Sequence, residues 1–97
     1  YNDVKNYLDI YSNKLWFKYK TFKIKDLKSK WGSCSYNQEI IINLKLAYLP
    51  KEYLEYVCAH EITHLKHKNH SIKFYNELNK LFPEYLRVRK KLKNIII

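Results

Sequence analysis

The five-residue run His60-Glu61-Ile62-Thr63-His64 constrains this chain more than any other feature. Its two histidines are four residues apart, so on a helix they share one face and can offer two imidazole nitrogens to one metal ion. Glu61 lies beside that pair, where its carboxylate can reach a water on the metal without binding the metal itself. A hydrolytic zinc site needs three protein ligands and an open position for water. The motif therefore predicts a metal site that takes its third ligand from elsewhere in the chain.

The motif lies on a predicted helix, as this chemistry requires. Apolar residues recur through it at amphipathic spacing: Tyr53, Leu54, Val57, Cys58, Ile62 and Leu65. Pro50 is tolerated in the first turn of a helix, so we expect the helix to run from Lys51 to His67. The competing interpretation is a solvated polar face in which His64 pairs with Glu61 or a lysine. The helical context favours the metal site.

Composition indicates a single globular domain. A chain of 97 residues with 46% hydrophobic and 29% charged residues can form one modest core but not two. No apolar run approaches the roughly 18 residues of a membrane-spanning helix, so we expect no membrane association. The chain begins at Tyr1 and contains no Met. We therefore expect residues 1–97 to form one catalytic domain that is the C-terminal part of a longer protein.

The two cysteines, Cys34 and Cys58, are too few for a disulfide framework and too far apart for a C-x-x-C zinc knuckle. We interpret them as buried free thiols that act as small hydrophobic residues. Free thiols are typical of a reducing compartment, so we expect a cytoplasmic protein.

The chain carries a net charge of +10. A basic surface attracts phosphate-bearing partners. An excess of Lys, however, also arises from the codon usage of AT-rich genomes. The densest basic cluster, at 87–93, fits a solvated helix face behind Val88 and Leu92. We therefore expect at most weak, electrostatic binding of nucleic acid.

Periodicity predicts the element order α-β-β-β-α-α-α. The first helix has apolar residues at three- and four-residue steps: Val4, Tyr7, Leu8, Tyr11 and Leu15. Alternation predicts strands at 17–25, 29–35 and 39–46, and the last two form a hairpin. Ser71 is the predicted N-cap of a helix lined by Ile72, Tyr75, Leu78 and Phe82, and Pro83 opens the last helix. Segregated strands and helices indicate the α+β class, which we expect to contain a three-stranded antiparallel sheet.

Four residues could supply the third metal ligand: His67, His70, Glu77 and Glu84. His70 follows His64 by six residues, the offset found in the pattern H-E-x-x-H-x-x-G-x-x-H. That pattern turns the chain at a glycine, and here the position is His67. We therefore expect the turn at 68–69, where Asn69 tolerates left-handed geometry. Three ligands on one straight helix splay too widely, so His67 is interpreted as a surface residue. We favour His70 over the two glutamates.

Several short motifs follow one another in order along the chain: Trp31-Gly32-Ser33-Cys34, Ile42-Asn43-Leu44-Lys45-Leu46, Tyr56-Val57 before His60-Glu61, Asn69-His70-Ser71 with Phe74, and Phe82-Pro83-Glu84-Tyr85. Together they resemble the YgjP-like family of bacterial zinc-dependent metallopeptidases, which is related to the SprT-like and WLM peptidases and to the minigluzincins. The resemblance covers residues 20–92. It implies a small zincin-like domain, zinc bound by His60, His64 and His70, Glu61 as the catalytic carboxylate, and a peptide or protein substrate.

Two other functions stay open at the level of sequence. The positive charge supports a hydrolase of nucleoside triphosphates, but the chain lacks a glycine-rich phosphate loop. A non-catalytic nucleic-acid-binding module would use Trp31, tyrosines and lysine clusters for stacking and charge. An open metal position beside Glu61 speaks against that module.

The single glycine and the third strand suggest how a substrate cleft is formed. A lone glycine in a strand usually marks a close backbone approach. We expect the strand of Gly32 to pass close to the metal helix, with Trp31 packed in the core. The strand at 39–46 is expected to offer an exposed edge with which an extended peptide can pair.

Overall fold

The computed structural model describes residues 2–95, which form four α-helices and one three-stranded sheet. In chain order the elements are α1 (Asn2–Leu15), β1 (Thr21–Lys25), β2 (Gly32–Cys34), β3 (Glu39–Asn43), α2 (Lys51–Lys66), α3 (Ile72–Leu81) and α4 (Tyr85–Lys93). A 3-10 helix, Leu44–Tyr48, joins β3 to α2. This order confirms the α+β class. Each strand is shorter than its alternating pattern indicated.

The sheet is mixed, with strand order β1-β3-β2. Strands β2 and β3 form the predicted antiparallel hairpin. Strand β1 pairs with β3 in parallel, from Thr21 opposite Glu39 to Lys25 opposite Asn43. The prediction of a fully antiparallel sheet is therefore wrong for β1. The reason is the segment 26–31, which carries the chain from one edge of β3 to the other, so that β1 and β3 run in the same direction.

Asn43 organises that crossing segment. Its side chain is almost fully buried, and its Nδ2 donates to the carbonyl oxygens of Leu27 (3.1 Å) and Lys30 (2.9 Å). Its Oδ1 accepts from the backbone N–H of Lys45 at 2.9 Å and caps the 3-10 helix. One buried amide thus ends β3 earlier than alternation predicted and holds the segment 26–31 in place.

Helix α2 lies at the centre of the fold and packs against α1, β2, α3 and α4. Its buried residues occupy most of its circumference: Tyr53, Leu54, Tyr56, Val57, Cys58, Ala59, Glu61, Ile62, Thr63 and Leu65. Both cysteines are free, as predicted; Cys58 is fully buried and Cys34 only partly so. The motif helix is therefore held by the rest of the core on nearly every side.

Helix α3 buries a face that only partly matches its sequence prediction, because Leu78 and Phe82 are buried as predicted but Ile72 is not. Ile72 is 80% exposed, whereas Phe74 is fully buried together with Leu78. Ser71 is the N-cap, as predicted, and its Oγ accepts from the backbone N–H of Phe74 at 3.3 Å. Two apolar stripes overlap on this helix, and packing against α2 selects the one that contains Phe74.

Helix α4 packs through Val88 and Leu92, which are buried as predicted. Arg87 joins its start to α2 through an ion pair with Glu52, with 2.9 Å between Nη2 and Oε2. The helices formed by residues 2–95 include none with the length and apolar character needed to cross a bilayer.

Candidate metal centre

Three imidazoles converge at the C-terminal end of α2. His60 and His64 lie one helical turn apart on α2, and His70 comes from the segment before α3. Their ring centroids are 4.9 Å apart for His60 and His64, 5.2 Å for His60 and His70, and 4.8 Å for His64 and His70. One nitrogen from each ring lies within 4.8 Å of the other two. The motif pair and the favoured third histidine therefore form one cluster.

The spacing of the ring nitrogens suits a divalent metal. The Nε2 atoms of His64 and His70 are 3.1 Å apart. Tetrahedral zinc with bonds of about 2.0–2.1 Å separates two ligand nitrogens by about 3.3–3.4 Å. Imidazole suits zinc and also copper, iron and nickel. Three rings leave a fourth coordination position open, so the cluster fits a metal together with a water or substrate.

The ring of His64 is oriented by the backbone. Its Nδ1–H donates to the carbonyl oxygen of His67 at 3.1 Å, which leaves Nε2 directed at His70. Burial lowers the pKa of His64 below its ordinary value, and burial followed by the charge of His60 lowers the pKa of His70. Both shifts favour the neutral ring, which is the form that binds a metal.

Phe74 lies against all three histidines. Its ring centroid is 5.0 Å from that of His60, 4.6 Å from that of His64 and 5.0 Å from that of His70. A fully buried aromatic ring at this position excludes water from one side of the cluster and fixes the three imidazoles against a rigid surface. From the sequence, Phe74 was assigned to the family pattern but not to the site. Its position three residues after the N-cap Ser71 was the signal that the sequence offered.

The turn between α2 and α3 differs from the predicted one. Among residues 2–95, the non-glycine residues with positive φ are Trp16 and Gln38, so Asn69 is not left-handed. The chain instead leaves α2 at His67, whose backbone is extended (φ −124°, ψ 108°). The His67 side chain is only 18% exposed, so its interpretation as a surface residue is wrong.

Neither alternative glutamate joins the histidine cluster. Glu77 pairs with Lys66 at 2.5 Å, and its Oε1 is 3.7 Å from Nε2 of His67. Glu84 is exposed and pairs with Arg87 at 3.1 Å. Each carboxylate is therefore engaged by a cation away from the three imidazoles.

Glu61 is buried at the side of the cluster. It is 5% exposed, and its Oε2 lies 3.3 Å from Nδ1 of His60. A Cβ atom on Gly32 would lie 3.1 Å from the same oxygen. The carboxylate therefore lies between α2 and strand β2.

Gly32 permits the close approach of strand and helix that its position predicted. A Cβ atom there would also lie 3.0 Å from the carbonyl oxygen of Ile41 and 3.0 Å from Cγ1 of Val57. Trp31 is not a core residue, however. It packs against the core while staying partly exposed, and it lines a pocket beside the histidine cluster.

That pocket has a volume of about 280 Å³ and opens beside His60 and Glu61. The rest of its lining is Lys30, Trp31, Gly32, Tyr56, Val57, Arg89, Leu92 and Lys93. It is bounded by β2, by α2 and by the end of α4. A group bound there would be adjacent to the buried carboxylate.

The strand edge available to an extended ligand is β2 and not β3. Strand β3 is central and pairs on both sides, so the predicted role of 39–46 as an exposed edge is wrong. Strand β2 is at the edge of the sheet, and its Gly32 lines the pocket.

Comparison with known families agrees with this geometry. The sequence pattern of the YgjP-like metallopeptidase domain matches residues 1–95. The chain belongs to this family. Its resemblance to the YgjP-like metallopeptidases is thus confirmed over nearly the whole length.

Solved structures of metallopeptidase zymogens share the fold. Abylysin from Pyrococcus abyssi superimposes with a TM-score of 0.77 at 26% identity, over 97% of this chain and 99% of that one. Jannalysin from Methanocaldococcus jannaschii superimposes with a TM-score of 0.79 at 29% identity, over 92% of both chains. Wss1 from Saccharomyces cerevisiae has the same fold, with a TM-score of 0.72 at 20% identity over 92% of this chain and 76% of that one.

A relative of this YgjP-like chain is the uncharacterized protein MJ1213 of Methanocaldococcus jannaschii, 47% identical over 64 residues. The match covers 63% of this chain and 58% of that protein, so the chain spans little more than half of its relative's length. Because this relative is archaeal, the expected bacterial origin finds no support.

Proposed function

We propose that this YgjP-like chain is a zinc-dependent peptidase in which His60, His64 and His70 bind the metal and Glu61 is the general base. The observation that carries the proposal is the convergence of three imidazole nitrogens beside one buried carboxylate. A peptidase of this type needs three protein ligands, an open position and a base that does not bind the metal. The cluster supplies each of these.

Zinc is the metal that this ligand set suits best. Three neutral imidazoles match the ligand type of catalytic zinc sites, in which the bound metal supplies an acidified water and polarises the scissile carbonyl. The hydrogen bond from His64 to the His67 carbonyl holds one ligand in its binding orientation. The buried ring of Phe74 supports all three ligands from one side.

Glu61 has the position that a proton carrier requires. It follows a ligand directly on α2, and its Oε2 faces the gap between α2 and β2. From there it can accept a proton from water and return it to the leaving amine of the cleaved peptide. Gly32 leaves room for that carboxylate, because any larger side chain at this position would press against Oε2.

The edge of β2 is the proposed binding site for the substrate backbone. An extended peptide can add a strand to an exposed sheet edge through main-chain hydrogen bonds. Gly32 belongs to both β2 and the pocket beside Glu61. A peptide on this edge would therefore pass the catalytic carboxylate and direct one side chain into the pocket.

The decisive experiment incubates the full-length protein with zinc and screens peptides and nucleoside triphosphates side by side. Because the two archaeal neighbours are zymogens, each sample is assayed before and after limited proteolysis. Cleavage of peptides by the wild type but not by Glu61→Gln, with triphosphates left intact, is the expected result. Zinc-dependent hydrolysis of triphosphates alone would overturn the proposal.

A further inference from the structure

Arg89 is a partly buried cation without a carboxylate partner in residues 2–95. Arg87, two residues earlier on α4, pairs with both Glu52 and Glu84. Arg89 instead has its guanidinium carbon 5.6 Å from the ring centroid of Tyr75, which stacks on Tyr85 at 5.9 Å. An aromatic platform orients a guanidinium while leaving its N–H groups free to donate.

Arg89 lies between two depressions that flank the metal centre. It lines the 280 Å³ pocket that contains His60 and Glu61. It also lines a groove of about 430 Å³ that contains His70 and Tyr75. Arg89 therefore borders both the pocket of the proposed base and the groove of one proposed metal ligand.

The pocket beside Glu61 is basic as well as apolar. Lys30, Arg89 and Lys93 bring three positive charges, and Glu61 brings one negative charge, which leaves +2 with the histidine neutral. The apolar part of the lining consists of Trp31, Tyr56, Val57 and Leu92. Pockets for whole ligands usually measure about 300–1,000 Å³, so this one has room for a single residue of a substrate.

A partly desolvated arginine is stabilised when a carboxylate accepts two of its N–H groups. Such charge-assisted pairs are stronger than neutral hydrogen bonds and strengthen as water is excluded. Since the described residues provide Arg89 with no such partner, an incoming ligand can provide it. The apolar wall beside the three cations suits the methylene groups of a residue that ends in a carboxylate.

We propose that Arg89 and this pocket bind a carboxylate of the substrate next to the scissile bond. The inference rests on the proposed peptidase function and adds the chemical class of the preferred substrate. The carboxylate belongs either to an acidic side chain or to the C terminus of the peptide. The shared chemistry is recognition of a carboxylate by an arginine held on an aromatic platform.

Matched peptides test the proposal in the full-length, zinc-loaded protein. The pairs differ only by Glu or Gln at a residue next to the cleaved bond, and each is made with a free and an amidated C terminus. We expect kcat/KM to be at least about tenfold higher for the member with the carboxylate. A preference between Glu and Gln identifies the side chain as its source, and a preference between acid and amide identifies the C terminus.

Variants of Arg87 and Arg89 test which arginine is responsible for the preference for a carboxylate. In Arg89→Gln the ratio between paired peptides should fall to about one, mainly through a higher KM for the acidic member. Arg89→Lys keeps the charge without the bidentate fork and should retain part of the ratio. Arg87→Gln is the matched control on the same helix and should retain all of it. Equal cleavage of the paired peptides by the wild type would overturn the inference and leave the peptidase function intact.

A binding measurement separates this inference from the proposed function. In a Trp16→Phe background, Trp31 is the remaining tryptophan and lines the pocket. N-acetylglutamate α-amide and N-acetylglycine should each be tested for a change in its fluorescence, with N-acetylglutamine amide and ATP for comparison. Binding of a carboxylate that weakens at least about tenfold in Arg89→Gln supports the inference even if no peptide is cleaved. Binding of ATP alone, or no dependence on Arg89, would overturn it.

Discussion

The Nδ1 atom of His64 lies 3.1 Å from the carbonyl oxygen of His67, the residue at which α2 ends. The last turn of the helix therefore carries a proposed ligand side chain and also fixes its orientation. The same short segment then brings His70 to within 3.1 Å of the opposite nitrogen of His64. The geometry of the proposed metal site thus depends on how the chain leaves α2.

Replacing His70 by Ala should remove most of the bound zinc. Loss of a hydrogen-bond partner to a ligand alone lowers metal affinity by about 10–100-fold, so loss of a ligand should cost at least about 100-fold. Elemental analysis after dialysis against a buffered zinc concentration measures this. Glu77→Ala and Glu84→Ala are the controls and should keep their zinc. If His70→Ala retained its zinc and either glutamate variant lost it, the assignment of His70 as the third ligand would be wrong.

Replacing Glu61 by Gln should leave zinc in place and abolish peptide hydrolysis. The amide fits the same buried space but can neither accept nor return a proton, so kcat should fall by about 10²–10⁴-fold. Zinc content and kcat are measured on the same preparation. Activity near that of the wild type, on a substrate that the wild type cleaves, would exclude Glu61 as the base.

Acidification should release zinc only below the ordinary imidazole range. Burial holds the pKa of His64 and of His70 below the usual 6.5, so both rings stay neutral at neutral pH. We expect apparent zinc affinity to change little from about pH 8 to about 6.5 and to fall below that. The metal-free protein should lose stability in the same acidic window, because the unfolded chain takes up protons at a higher pH than the folded one. Metal-free protein whose melting temperature rises on acidification below about pH 6.5 would contradict this.

Replacing Gly32 by Val should destabilise the protein and disturb the metal site. The first atom of the new side chain would press on Ile41, Val57 and Glu61, and overpacking of this kind costs about 1–3 kcal/mol. Thermal unfolding and zinc content report the two effects. Ser33→Val, one position along the same strand, is the control and should be tolerated better. If the Gly32→Val protein had an unchanged melting temperature and zinc content, the close approach at Gly32 would matter neither for stability nor for the metal site.

Any binding of nucleic acid should be weak and electrostatic. The net charge of +10 favours phosphate contacts without sequence selection. The logarithm of affinity should therefore fall linearly with the logarithm of salt concentration, with a slope of about −0.9 per duplex phosphate contacted. Fluorescence anisotropy with duplexes of different sequence measures it. Sequence preference that survives high salt would indicate a dedicated recognition surface.

The histidine cluster was predictable because its signals are local. His60 and His64 share a helix face by their spacing alone, and Ser71 marks the start of the next helix just after His70. The direction of β1 was not predictable in this way. It depends on contacts of Asn43 with carbonyl groups 13 and 16 residues away in sequence, and alternation carries no such information.

Phe74 and Arg89 show a second limit of sequence reasoning. Apolar residues on α3 fit two overlapping stripes, and only the packing against α2 decides that Phe74 and not Ile72 is buried. Arg89 belongs to a basic run that was interpreted as a solvated face, and the burial of Val88 and Leu92 agrees with that interpretation. Which cations of the run line the pocket beside the histidine cluster depends on the position of α4, and that position is set by tertiary packing.

The contact at Gly32 has a mechanical consequence for the substrate cleft. Strand β2 contributes no side chain at Gly32, and a Cβ atom there would already lie 3.0 Å from Cγ1 of Val57, so at this point the strand has no side chain whose rotation could widen or narrow the gap. Helix α4, by contrast, borders the pocket with the long side chains of Arg89, Leu92 and Lys93. One wall of the cleft is rigid and the other is adjustable. Changes in substrate preference within the family are therefore expected to arise on α4. The strand wall should limit the width of the cleft in the same way for every substrate.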